Sequence, residues 1–180
     1  ALLVASAQGH EATVAILLKF GANPDVVGPN GWTPLHEAAL EGKASILRTL
    51  LAYETSVDPL DDEGMTPLMM AVGRNHAEAV EVLVEHEADV HARDTSGRQP
   101  LHIAATEGFH EVVHGLATAP DIEWNAVDAE GDTALLVAAG LAHDKVVQTL
   151  MEYGCDPNLL NAEGDTAVHV ACRAGDVNVV

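Results

Sequence analysis

Short bursts of apolar residues return along the chain at helical spacing. Val14, Leu17 and Leu18 form one burst, Leu47, Leu50 and Leu51 a second, Val80, Leu83 and Val84 a third, and Val147, Leu150 and Met151 another. Spacing of i, i+3, i+4 places each trio on one helical face, so each burst predicts an amphipathic helix with one buried stripe. Ahead of the bursts lie shorter Ala-rich segments such as Leu35-His36-Glu37-Ala38-Ala39-Leu40, predicted as companion helices whose small side chains admit a close neighbour. The pattern predicts an all-α chain of paired helices, with no strand and helix alternation around a Gly-rich phosphate loop.

The pairs recur with a fixed period. Gly31, Gly64, Gly97, Gly131 and Gly164 follow one another at intervals of 33, 33, 34 and 33 residues. Each opens a phrase: Gly31-Trp-Thr-Pro-Leu-His36, Gly64-Met-Thr-Pro-Leu-Met69, Gly97-Arg-Gln-Pro-Leu-His102, Gly131-Asp-Thr-Ala-Leu-Leu136 and Gly164-Asp-Thr-Ala-Val-His169. A second landmark follows in register as Gly42, Asn75, Gly108, Ala142 and Gly175, with Gly9 before them. Ala38, Ala71, Ala104, Ala138 and Ala171 hold one common slot. The single extra residue falls in Ala119-Pro-Asp-Ile-Glu-Trp-Asn125, after which the period recovers.

These phrases resemble the Thr-Pro-Leu-His-x-Ala signature of ankyrin repeats, and the resemblance covers the whole chain. It implies an ankyrin-repeat solenoid, a right-handed stack of helix-turn-helix units with β-hairpin-like turns between them. The expected division is one domain, with a partial unit at 1–27, units at 28–60, 61–93, 94–127 and 128–160, and a partial unit at 161–180. Ala1 begins inside one helical pattern and Val180 stops inside another, so a fragment of a longer protein is expected.

Thr33 and Thr66, each followed by proline, suit a helix start, because the hydroxyl accepts from an orphan amide and proline at the first position forfeits no bond. Gln99 breaks the cap pattern and Ala134 and Ala167 replace the proline, so the third to fifth starts are expected to be less firmly set. One helix pair buries too little to offset its ordering entropy, so stability must come from the interfaces between units.

Composition narrows the function. The apolar share is 48% but the aromatic share only 3%, which fits a core of Ala, Val and Leu. With 28 acidic against 8 basic residues the formal charge is -20, which repels a phosphate backbone and excludes nucleic acid as the expected partner. The charge is uneven: -1 in 1–27 and -2 in 28–60, against -6, -4 and -5 in the next three units. Solubility explains such a surface; a basic protein partner and high-salt adaptation are the sharper readings. No apolar run is long enough for a membrane span, no signal peptide is visible, and two cysteines cannot form a disulfide framework. An intracellular, cytoplasmic setting is expected.

Candidate chemistry is sparse. Of ten histidines, His36, His102 and His169 fall in the signature and His10, His76, His110 and His143 at second-helix starts, while His86, His91 and His114 are scattered. No metal or cofactor is expected. Cys155 and Cys172 read as packed small residues. Asp61 with Asp62, and Asp128 with Glu130, lie in the repeating turn, where Asp bonds neighbouring amides more often than it serves as an acid or base. No catalytic residue is assigned.

The family resemblance implies that a protein partner docks on the concave side, against the turns and the first helices. Carried over residue by residue, the expected contact set is Trp32, Leu40, Glu41, Met65, Arg74, Arg98, Glu107, Asp132 and Leu141. The residue after the signature glycine changes from Trp32 to Met65, Arg98, Asp132 and Asp165 on a constant scaffold. Trp124 is expected to pack against the following turn. Two further readings stand beside a binding module: a regulatory or targeting segment of an enzyme or channel lying outside these residues, and a structural spacer. Trp32→Ala with Arg98→Glu is expected to abolish partner capture with little effect on the thermal transition.

Overall fold

The computed structural model describes residues 1–175; the end of the unit expected at 161–180 lies outside them. Among the described residues there are eleven α-helices and one short 3-10 turn at Pro29–Gly31. The chain divides into two compact bodies, Ala1–Asp89 and the residues from Val90 onward.

In the first body α1 (Leu2–Ala7) pairs with α2 (Glu11–Lys19), α3 (Pro34–Leu40) with α4 (Ala44–Leu51), and α5 (Pro67–Gly73) with α6 (Ala77–Glu85). First helices pack in the order α1, α3, α5, and second helices in the order α2, α4, α6. The second body repeats the plan with α7 (Pro100–Glu107), α8 (His110–Leu116), α9 (Ala134–Gly140), α10 (Asp144–Glu152) and α11 (Ala167–Ala174). There α9 touches both α7 and α11, and α8 touches α10.

Each pair is built by the two sequence landmarks. The constant alanines at 38, 71, 104, 138 and 171 are wholly buried, as small residues between close helices must be. Their backbone carbonyls close the inter-helix turn: the amides of Lys43, His76, Phe109 and His143 donate to Ala38, Ala71, Ala104 and Ala138 at 2.8 to 3.0 Å. That closure needs a left-handed residue, and Gly42, Asn75, Gly108 and Ala142 all have positive φ, at 63°, 57°, 74° and 55°. Gly42 serves a second purpose, since a Cβ there would stand 2.6 Å from the His76 ring.

Two local details refine the picture. The buried stripe of the second helices keeps the i, i+3, i+4 spacing, as in Val146, Thr149 and Leu150 of α10, but after α2 it is centred about one residue earlier than the sequence trios. Ile46, Leu47 and Leu50 are fully buried, as are Val80 and Leu83, whereas Leu51 and Val84 are half-buried and Met151 is exposed. Leu51 lies one residue, about 100°, round from Leu50, which turns it to the flank of a helix whose buried side is centred on the preceding turn. The later first helices keep part of the start: Gln99 has no side-chain cap bond, as the sequence predicts, but each later start retains at least one bond between the cap residue and the helix. The Thr133 hydroxyl accepts from the Leu136 amide at 3.3 Å, and the Thr166 amide donates to His169 Nδ1 at 3.2 Å. At Gln99, which lacks the hydroxyl, the backbone amide donates to His102 Nδ1 at 3.3 Å.

Candidate protein-docking surface

Four of the turns that precede a first helix are near copies of one another. In the turn at 61–65 the Asp61 amide donates to the Met65 carbonyl at 3.1 Å, and Asp61 Oδ1 accepts the amides of Glu63 at 2.9 Å and Met65 at 2.8 Å. Asp94 does the same for Ser96 and Arg98, Asp128 for Glu130 and Asp132, and Asn161 for Glu163 and Asp165, at 2.9 to 3.1 Å. These carboxylates and the amide hold the loop closed, the role the sequence suggests for Asp61 and Asp128. Asp61, Asp94, Asp128 and Asn161 each stand three residues before a signature glycine.

Buried histidines staple turn to helix. His36 Nδ1 accepts the Thr33 amide at 3.1 Å, which places its proton on Nε2, and Nε2 donates to the Met65 carbonyl of the next turn at 3.1 Å. In the second body His102 Nε2 donates to the Ala126 carbonyl at 3.0 Å. Burial pushes both imidazoles below the ordinary histidine range, against the opposing pull of the Met65 carbonyl on His36 and of the Asp128 charge on His102. His76 and His143 act at the other end of the first helices, bonding the Leu40 and Thr106 carbonyls at 3.0 Å. Among the described residues no three His, Cys, Asp or Glu side chains converge in a way that could hold a metal ion.

Within each body the expected contact residues, nine in all, fall into two rows. Trp32, Met65, Arg98 and Asp132 sit at the turn tips; Leu40, Glu41, Arg74, Glu107 and Leu141 sit at the C-terminal ends of the first helices. Seven residues of helix separate the rows in α3, about 10 Å of rise at 1.5 Å per residue. Glu41, Arg74, Glu107 and Leu141 are exposed, whereas Trp32, Leu40, Met65, Arg98 and Asp132 are half-buried.

The tip residues are not equally free. The Trp32 indole donates to Asp61 Oδ2 at 3.1 Å, tying its ring to the next turn. Arg98 is more tightly held, with Nε and Nη2 at 2.9 and 2.8 Å from Asp94 Oδ2. Burial works against the Asp94 charge, but the Arg98 amide and guanidinium and the Ser96 amide outweigh it and hold the carboxyl below the usual carboxylate range. The Arg98→Glu half of the double substitution would therefore set two carboxylates together and destabilise the turn as well as alter the surface. Asp132 Oδ1 accepts from the Asn161 side chain at 3.0 Å. On α3, burial and then the Glu41 charge raise the Glu37 carboxyl.

Away from the turns, Trp124 stacks on Tyr153, rings 4.7 Å apart and 3° from parallel, and Tyr153 bonds His114 Nδ1 at 2.9 Å. Trp124, beside the inserted residue, thus packs on the turn that follows α10, as the sequence leads one to expect. Cys155 is buried, its thiol pushed up to about 11 by that burial. Cys172, expected to be packed, is exposed.

Sequence profiles of ankyrin repeats match residues 2–51, 53–128 and 101–180. The chain belongs to the ankyrin-repeat family. Ankyrin repeats are in general protein–protein interaction modules, and this chain carries their turns, caps and alanine slots in register. A stretch of it is 43% identical over 47 residues to Regulatory protein SWI6 of Kluyveromyces lactis, covering 23% of this ankyrin chain and 6% of that protein. Another comparison gives 42% identity over 52 residues with Inactive serine/threonine-protein kinase TEX14 of Mus musculus, 29% of this chain and 4% of that one. The chain therefore spans only a small fraction of either relative. Among the described residues, no helix of this ankyrin protein is long and apolar enough to cross a membrane.

Proposed function

We propose that this chain binds a partner protein through the turn tips and the C-terminal ends of its first helices, and performs no chemistry of its own. The observation that carries the reading is a constant frame around a variable slot. The turn bonds and the buried alanines repeat from unit to unit, while the residue after the signature glycine runs Trp32, Met65, Arg98, Asp132 and Asp165. Variation confined to exposed or half-exposed positions on a rigid scaffold suits recognition, and Trp and Arg are favoured in binding hot spots.

A second reading has its own support. Both named relatives are far longer than the stretch they share with this chain, and one is described as regulatory. The same surface would then serve as the regulatory or targeting segment of a larger polypeptide. Two unpaired cysteines favour a reducing, intracellular setting for either reading.

The test uses side chains outside the frame. Glu41→Arg, Arg74→Glu and Leu141→Asp, made singly in the full chain, are expected to weaken capture of a partner about tenfold each while the thermal transition holds. Capture unchanged by all three, yet lost on substituting exposed second-helix residues such as Glu81, would move the site to the other side of the helix pairs.

A further inference from the structure

The turn at 61–65 in the first body and the turn at 94–98 in the second fold around the same carboxylate, but their charges are settled differently. Asp94 Oδ2 is neutralised by Arg98 from its own turn. Asp61 Oδ2 takes the Trp32 indole instead, a donor without charge, and Met65 stands where Arg98 stands in the sister turn. Beside it the Asp62 and Glu63 side chains are exposed, and among the described residues no Lys or Arg pairs with any of the three.

The shape of the place matters as much as its charge. Asn30, Trp32, Asp61, Asp62 and Glu63 line a cleft of about 200 Å³. Its two sides are fastened together, by the indole bond and by the Asp62 amide donating to the Asn30 carbonyl at 3.0 Å. Gly31 has no Cβ to intrude, where one would meet the Asp62 amide at 2.9 Å. The tethered, half-buried indole forms one wall of the cleft, and an aromatic ring beside carboxylates attracts a cation by its quadrupole and by Coulomb's law together.

We infer that this indole-walled cleft seats a cationic side chain, arginine or lysine, of the docking polypeptide, supplying from outside the charge that Arg98 supplies from within at the sister turn. The inference rests on the docking surface proposed above and names the chemistry of its occupant. A planar guanidinium fits best, since it stacks on an aromatic face while its edge donates to carboxylates.

A short blocked peptide of alternating glycine and arginine is the probe, with its citrulline counterpart as the neutral control, titrated into the 15N-labelled full chain. The Trp32 indole N–H signal is expected to shift saturably with the arginine peptide and not with citrulline. Affinity should fall about tenfold in D62N/E63Q and weaken with added salt. Met65→Arg, which places a guanidinium where Arg98 already fits in the other turn, should compete in cis and abolish the shift. Equal binding by D62N/E63Q and Met65→Arg, or equal shifts from the citrulline peptide, would overturn the inference. A random peptide library selected on the same chain separates it from the reading beneath it: binders that depend on Glu41 and Arg74 but are not enriched in arginine or lysine overturn the cation seat alone, and binders indifferent to all these positions overturn both.

Discussion

The turns at 61–65 and 94–98 show how one backbone device can be turned outward or inward. In both, an Asp accepts two amides with one oxygen and leaves the other for a side-chain donor. In the second body that donor is Arg98, and the Asp94 side chain is left only 4% exposed. In the first body it is the Trp32 indole, and Asp62 and Glu63 stay exposed with no Lys or Arg paired to them among the described residues. The frame thus tolerates complete change in the chemistry it displays, because the amides and not the variable side chain close the loop.

If the frame is as uniform as that comparison claims, core substitutions should not distinguish the two bodies. Leu83 in α6 and Leu150 in α10 hold one slot and are both fully buried. Leu83→Ala and Leu150→Ala are each expected to destabilise by about 2–5 kcal/mol, read from urea denaturation. A large difference between them would show that the bodies are not equivalent stacks.

The turn carboxylates should differ where the leucines do not. Asp94→Ala strips two amides and an ion pair of their acceptor in a buried spot and should cost about 2–3 kcal/mol. Asp61→Ala removes as many amide bonds but only a neutral indole partner, at a more exposed site, and should cost about 1–2 kcal/mol. Equal losses would mean that Arg98 adds nothing to its turn.

The frame was legible in the sequence because its demands are local and repeat. A left-handed turn wants Gly or Asn, as at Gly42 and Asn75, and a helix start wants Thr-Pro, as at Thr33 and Thr66. The site was legible only as positions. That Arg98 would fold back on Asp94, or that Trp32 would reach Asp61 29 residues away, depends on which rotamer meets which oxygen, and no spacing rule encodes it. A recurring Asp or Asn three residues before four of the five signature glycines was the available signal. The tilt of the buried stripe away from Leu51 and Val84 was missed for a related reason, since periodicity gives a face but not its centre.

The histidine staples offer a smaller effect shared by both bodies. Burial holds His36 and His102 below the ordinary histidine pKa of about 6.5, so as the pH falls through that value the unfolded chain takes up protons before the folded one. Stability is therefore full above that value and declines as the pH drops toward the folded pKa. Thermal melts between about pH 8 and pH 5 should show the fall, and His36→Gln should flatten part of it, with the His102 share remaining. Glu37 and Asp58, whose carboxyls burial raises, push the opposite way at lower pH.

The least effect expected is a gain. The inter-helix turn uses Gly42 and Asn75 in the first body and Gly108 in the second, but also Ala142 there at φ 55°. An alanine there crowds its Cβ against the backbone by about 1–2 kcal/mol, while glycine loses some of that advantage to the extra freedom of the unfolded chain. Ala142→Gly is expected to stabilise by a net of about 0.5–1 kcal/mol, visible as a raised melting temperature. The reverse change at Gly42 should do harm beyond the backbone term, because its new Cβ would strike the His76 ring that bonds the Leu40 carbonyl. If Ala142→Gly leaves the melt unmoved while Gly42→Ala lowers it, the contact with histidine, and not the left-handed backbone, is what selects glycine at this landmark.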